Sequence, residues 1–289
     1  MEGQNIYDVI ARRTGGEIYI GVVGPVRTGK STFIKRFMDT LVLPNIDSEY
    51  KRERANDELP QSSAGRTIMT TEPKFIPEEG VTITVDGTVN MNVRMIDCVG
   101  YIVPSALGYI EDNAPRMVKT PWFEEEVPFN MAAELGTRKV ITEHSTIGLV
   151  VTTDGSITEI PREEYAEAEE RVINELKEIN KPFVVLFNTV NPTSTAVTQM
   201  CASLEDKYGV PVCPVNCLEL DETGIRRILE KVLFQFPVRE IGIELPKWLT
   251  GLDKNHPILK SIIDSIRAAA ADIQKISQIG NMATEIGAC

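Results

Sequence analysis

Gly24-Pro25-Val26-Arg27-Thr28-Gly29-Lys30-Ser31 constrains this chain more than any other stretch, because it fits the pattern G-x-x-x-x-G-K-S. The flanks define its setting. Before it, Ile18-Tyr19-Ile20-Gly21-Val22-Val23 is an apolar, β-branched run that reads as a buried strand. After it, Thr32-Phe33-Ile34-Lys35-Arg36-Phe37-Met38 has a helical period. Strand, glycine loop and helix in that order form a phosphate-binding loop: backbone N–H groups turn inward, and the helix start adds a favourable dipole. Gly24, Pro25, Val26, Arg27, Thr28, Gly29 and Thr32 are therefore expected around the phosphates of a nucleoside triphosphate. Lys30 is expected to reach the β- and γ-phosphates, and the Ser31 hydroxyl to ligate Mg²⁺.

Two further motifs follow in the order a GTPase-like fold requires. Asp97-Cys98-Val99-Gly100 ends an apolar strand and matches D-x-x-G. There the carboxylate accepts from a metal-bound water and the Gly100 N–H reports the γ-phosphate. Between the motifs lies Thr67-Ile68-Met69-Thr70-Thr71-Glu72-Pro73. A switch loop at this point offers a threonine hydroxyl to Mg²⁺, and Thr70 and Thr71 are both candidates. Lys30, Thr70, Thr71 and Asp97 form the expected catalytic set, with Ser31, Thr70, Thr71 and Asp97 as the metal residues.

The base motif departs from the GTPase pattern. Where N-K-x-D would stand, the chain has Asn188-Thr189-Val190-Asn191. Asn188 remains a candidate nucleotide residue, but the carboxylate that reads guanine is missing, which favours ATP or weak base selectivity. Many GTPases carry Gln directly after the D-x-x-G glycine; here Tyr101 follows, and it cannot act as a carboxamide. Arg27 is open to two readings, a charge supplied in cis to the phosphates or a solvated side chain.

The remaining pattern is α/β: a mostly parallel sheet flanked by helices, with one antiparallel edge strand. A helix over Tyr7–Arg13 is closed by Gly15-Gly16, and residues 44–80 read as a long loop. Asp86-Gly87 between alternating arms, Val81–Val85 and Val89–Ile96, signals a hairpin. Residues 101–128 read as a proline-bearing polar insert. Strands follow at Thr146–Thr152, Pro182–Phe187 and Val210–Asn216, alternating with helices at Asn130–Glu143, Arg162–Ile179, Ser194–Lys207 and Glu222–Leu233. From Pro237 the pattern changes. An extra strand over Val238–Leu245 and a helix over His256–Ile276 are expected. The apolar stripe Ile258, Leu259, Ile262, Ile263, Ile266 and Ala270 must cover itself, either on the main domain or as a docking face.

Charge and cysteine usage narrow the partners. Forty-two acidic against thirty basic residues give a net charge of −12, which opposes non-specific nucleic-acid binding. The five cysteines have no matched pairs or histidine cluster, which points to a reducing cytoplasm. No signal peptide and no run long enough to span a bilayer are read from the sequence.

Several long strings make the chain resemble the stage IV sporulation protein A family. They include Arg13–Gly24, Val26–Lys35, Asp57–Ser62, Thr67–Phe75, Asp97–Tyr101, Thr120-Pro121-Trp122 and Glu143–Gly148. The resemblance covers most of residues 6–270. It implies an ATPase derived from translation-factor-like GTPases that builds the basement layer of the spore coat by self-assembly. It also implies synthesis in the mother cell, retention at the outer forespore membrane by a small amphipathic peptide, and contact with other coat proteins. By match, Lys30 is the essential loop lysine, Thr70 and Thr71 the nucleotide-sensing threonines, and Asp97 the second metal residue. Chains of that family run on well past this length. The expected division is therefore a nucleotide domain at 1–236, with 237–289 as the start of a further domain.

Overall fold

A computed structural model describes residues 6–60, 73–85, 89–111, 114–120, 122–238, 240–243, 245–253, 256–271 and 273–279. They fall into two compact units, divided between Val232 and Leu233.

The first unit opens with α1 (Ile6–Thr14), β1 (Glu17–Val23) and α2 (Lys30–Phe37). α2 runs on through a π turn, Met38–Val42, and a short 3-10 turn before α3 (Glu49–Asp57). β2 (Lys74–Val85) and β3 (Val89–Asp97) then pair antiparallel. After the insert come α4 (Phe129–Lys139), β4 (Ile147–Thr153), α5 (Ala166–Glu178), β5 (Phe183–Asn188), α6 (Thr195–Tyr208), β6 (Val212–Val215) and α7 (Glu222–Leu233). The six strands form one sheet in the order β6-β5-β4-β1-β3-β2, parallel except for edge strand β2. This is the expected α/β architecture.

Burial explains the strand patterns. Every residue of β4 and β5 is buried, so both read as continuous apolar runs, as strands covered on two faces do. β3 alternates, with Val89, Met91, Val93 and Met95 buried. β1 lies between β3 and β4 although the chain leaves it for the β2–β3 side first. The connections therefore diverge on either side of β1, and the crevice beyond the carboxyl ends of these strands is where such sheets take ligands.

Residues 44–80 contain more order than the sequence suggests. α3 is capped by Ser48, whose hydroxyl accepts from Lys51 N at 3.4 Å. Only Ala55 of this helix is buried, so no apolar stripe announces it. β2 starts at Lys74 rather than Val81, and a register shift between Ile76 and Val81 interrupts its alternation. The insert holds two small ladders, Ile110–Glu111 with Ala114–Pro115 and Met117–Val118 with Val127–Pro128.

An ion pair is buried behind β4 and β5. Glu169 on α5 is fully enclosed and accepts from Arg162 at 2.8 and 2.9 Å, from Thr152 Oγ1 at 2.5 Å and from Tyr208 Oη at 3.0 Å. Arg162 also lies over the Phe187 ring. Removing Glu169 takes the carboxylate from the largely covered Arg162 and an acceptor from Thr152 and Tyr208. Glu169→Ala is therefore expected to cost about 3–5 kcal/mol of unfolding free energy in urea titration. A loss below about 1 kcal/mol would show that Arg162 escapes to water.

In the second unit, the described residues of Val238–Leu245 form no strand. A bridge joins Pro237 to Lys275, and Val238 N donates to Gln274 O at 2.9 Å. Alternation without a partner strand leaves the ladder bonds unmade. The expected helix runs Pro257–Ala271, opening on a proline as a first helical turn permits. On its stripe Leu259 is buried, Ile262, Ile263 and Ile266 are half-buried, and Ile258 is exposed. Among the described residues, no helix is long and apolar enough to cross a membrane.

Candidate nucleotide-binding site

The loop 24–31 leaves the carboxyl end of β1 and turns into α2. Gly29 stands at the helix N-cap with φ 92°, a left-handed conformation that favours glycine. A Cβ there would also lie 2.3 Å from Asn188 Nδ2, so the position has no room for a side chain. Phe33 N donates to Gly29 O at 2.9 Å, the first bond of the helix. The amides of Lys30, Ser31 and Thr32, in the first turn, thus have no intrahelical acceptors and form an anion-binding end.

Lys30 is buried. Its ammonium donates to Pro25 O at 2.6 Å and lies 3.4 Å from Gly24 O. Burial pushes its pKa down, against the pull of nearby Asp97. An ammonium held inside the loop by two carbonyls is suited to an anionic ligand.

The second motif meets the first across the β1–β3 pair. Ser31 Oγ donates to Asp97 Oδ2 at 2.6 Å. Asp97 Oδ1 is buried with no hydrogen-bond partner among the described residues. Burial raises the Asp97 pKa, while the Ser31 bond and the Lys30 charge oppose the rise. A hydroxyl and a carboxylate beside an unmatched carboxylate oxygen suit a hard cation with bound water. Among the described residues no three His, Cys, Asp or Glu side chains cluster to hold a metal on their own. Mg²⁺ would therefore be held by Ser31, Asp97 and phosphate oxygens. Gly100 closes the group with φ 92°; a Cβ there would fall 2.2 Å from Gly24 O and 2.6 Å from Lys30 Nζ.

Lys30, Ser31, Asp97 and Gly100, distant in sequence, are thus brought together. Thr70 and Thr71 lie outside the described residues. Pro25 and Val26 frame the loop rather than offer phosphate donors: proline has no N–H, and Val26 N donates to Tyr101 O at 2.9 Å. The Thr28 side chain is internal, its hydroxyl donating to Pro25 O at 3.0 Å. Asn188 braces the loop, donating from Nδ2 to Thr28 O at 3.0 Å and accepting on Oδ1 from Cys217 N at 3.1 Å.

Tyr101 faces away from the phosphate side. Its backbone zips the two motif loops together, with Tyr101 N donating to Gly24 O at 3.2 Å. Its side chain is buried, its hydroxyl donates to Glu175 on α5, and Arg171 lies over its ring. Arg171 in turn forms a two-pronged pair with Glu134 on α4, each bond 2.8 Å. Cys98, between the motif residues, is a buried thiol bonded to Val22 O at 3.1 Å, and burial pushes it up to about 11.

One cluster has no counterpart in the motif reading. Thr189, at the lysine position of N-K-x-D, donates to Asp154 Oδ2 at 2.6 Å. Ser156 donates to Asp154 Oδ1 from its amide at 2.9 Å and its hydroxyl at 2.6 Å. Burial pushes the Asp154 carboxyl up, but the Ser156 and Thr189 hydrogen bonds outweigh it and hold the pKa low. Only the place of Asp154-Gly155-Ser156, just past a parallel strand's carboxyl end, could have drawn notice.

Comparison with known proteins finds related sequences over the whole chain. The pattern of "Stage IV sporulation protein A, ATPase domain" matches residues 1–237, and that of the same family's middle domain matches residues 238–289. A stage IV sporulation protein A from Clostridioides difficile (strain 630) is 56% identical over 275 residues, covering 95% of this chain and 56% of its own. Those of Bacillus anthracis and Bacillus subtilis (strain 168) are 53% and 51% identical over 279 residues, each covering 96% of this chain and 57% of its own. The chain thus spans a little over half the length of these relatives. With the ATPase-domain pattern matching residues 1–237 and relatives 51% to 56% identical over nearly all of its length, the chain belongs to the stage IV sporulation protein A family.

Proposed function

We propose that this chain binds and hydrolyses ATP with Mg²⁺, and that this cycle drives its self-assembly into the basement layer of a spore coat. The observation that carries the chemistry is the meeting of Lys30, Ser31, Asp97 and Gly100 at one end of β1 and β3. Lys30 neutralises phosphate charge, Ser31 and Asp97 hold the metal, and the first-turn amides of α2 orient the chain of phosphates. Mg²⁺ supplies charge neutralisation on the phosphate oxygens. ATP is preferred to GTP because Asn191 stands where a guanine-reading carboxylate would. The family's names supply the sporulation setting and an ATPase domain.

Assembly, contact with a small amphipathic membrane peptide and other coat proteins, and a place in the mother cell at the outer forespore membrane complete the reading. No nucleic-acid partner is proposed for a chain of net charge −12. The test is phosphate release by the purified chain with ATP and with GTP in Mg²⁺, followed by sedimentation. ATP is expected to be favoured in kcat/KM by at least about tenfold, a discrimination of about 1.4 kcal/mol. Equal or faster GTP turnover would overturn the base assignment, and no turnover with either would overturn the enzyme assignment. ATP-dependent pelleting supports assembly through the residues present, and its absence removes assembly from what these residues do.

A further inference from the structure

The backbone at Arg27 is held in a conformation that arginine seldom adopts. Its φ is 61°, in the left-handed region, where a Cβ crowds the following carbonyl. Its neighbours prevent relaxation. On one side Val26 N is bonded to Tyr101 O at 2.9 Å. On the other, Thr28 is bonded through its hydroxyl to Pro25 O at 3.0 Å and through its carbonyl to Asn188 Nδ2 at 3.0 Å. Glycine would make the same turn without the crowding. The reason for arginine at this place therefore lies in its side chain.

The side chain is half-buried, unlike that of a solvated surface arginine. Its charge lies within electrostatic range of the Lys30 ammonium. It also acts on Tyr165, whose fully buried ring carries a hydroxyl 3.0 Å from Thr158 Oγ1. Burial works against the guanidinium's own charge. Arg27 and Lys30 place two positive charges on one phosphate-binding loop, and a polyanion bound in that loop would lie within reach of both. The other position from which help for hydrolysis is usual, the residue after Gly100, is turned inward and bonded to Glu175.

We infer that Arg27 is a catalytic residue of this site, its guanidinium meeting the phosphates of bound ATP and stabilising the charge that builds as the terminal phosphoryl group transfers. The inference rests on the ATPase reading given above. In the step it assists, a water oxygen bonds to the γ-phosphorus and the bond from that phosphorus to the β–γ bridging oxygen breaks. The bridging oxygen keeps the electron pair and leaves on ADP, and the proton lost by water passes to phosphate or solvent. Arg27 stays protonated throughout, offering N–H groups to the bridging and γ-oxygens.

The test compares Arg27→Ala, Arg27→Gly and Arg27→Lys with the parent chain. Three quantities are read: phosphate release, ATP affinity by displacement of a fluorescent nucleotide, and retention of ADP with aluminium fluoride, a mimic of the transferring group. Arg27→Ala and Arg27→Gly are expected to lower kcat about 100-fold while ATP affinity moves less than about 3-fold. Both lose retention of ADP with aluminium fluoride, and Arg27→Lys recovers part of kcat. Arg27→Gly, freed of the left-handed penalty, melts at or above the parent temperature, which separates lost chemistry from lost folding. Turnover of Arg27→Gly within about 3-fold of an active parent, or a loss of ATP affinity that accounts for the whole defect, overturns the inference and leaves the ATPase reading standing. A parent chain inert towards ATP overturns both.

Discussion

Lys30→Ala is expected to abolish measurable phosphate release from ATP while leaving the fold intact. The lost ammonium is the buried positive charge at the head of α2, and removal of one such preorganised donor typically lowers kcat on the order of 100- to 1000-fold. The fold survives because both acceptors keep a partner. Pro25 O still receives the Thr28 hydroxyl at 3.0 Å, and Gly24 O still receives Tyr101 N at 3.2 Å. The variant also removes a desolvated charge, which offsets part of the lost packing. Its melting temperature should therefore stay within about 4 °C of the parent, the shift that corresponds to about 1 kcal/mol in a domain of this size. A variant that unfolds would show Lys30 to be a structural keystone, and one that still releases phosphate would remove the lysine from the chemistry.

Asp97→Asn should separate metal use from stability in the opposite sense. The isosteric amide keeps an oxygen for Ser31 but has no negative charge for the cation or its water. The Mg²⁺ concentration for half-maximal turnover is expected to rise about 10- to 100-fold, with a matching fall in turnover at low Mg²⁺. Without nucleotide the same variant should be as stable as the parent or more so, since it no longer buries a negative charge. The pH dependence has a definite sign. Burial raises the folded pKa of Asp97 above its unfolded value, so the folded state binds this proton more tightly. Asp97 therefore lowers stability progressively as pH rises from the unfolded pKa through the folded one, and the loss persists above. Asp97→Asn should lack that decline. Urea titrations of the nucleotide-free proteins across the acid range measure it, and identical slopes would show that Asp97 is solvated in the folded chain.

What could be read from the sequence had a local signature. Gly24 to Ser31 and Asp97 to Gly100 are short patterns whose chemistry dictates their fold, and the sheet places their parts in contact through Ser31 and Asp97. The apolar runs of β4 and β5 could be read because those strands are covered on both faces. Hidden features depend on partners that spacing does not reveal. α3 is polar on almost every face, so its cap at Ser48 was the only cue. Val238–Leu245 has the alternation of a strand, but its described residues form none. The Asp154–Thr189 bond joins two strand-end loops 35 residues apart, and only the fold brings them together. The inward turn of Tyr101 depends in the same way on Glu175, 74 residues further along the chain.

Tyr101 also limits how far the backbone at Gly100 can move. Upstream, Asp97 closes a strand and Cys98 is tied to Val22. Downstream, Tyr101 is bolted to α5, and through Arg171 to α4. Only the peptides around Val99 and Gly100 remain between two fixed posts. A response to bound phosphate at this point would be confined to one or two peptide planes rather than the swing of a loop. Such a movement would need no core to be repacked, and the contacts it would press on end at the Glu134–Arg171 pair, which meets the solvent on α4 and α5.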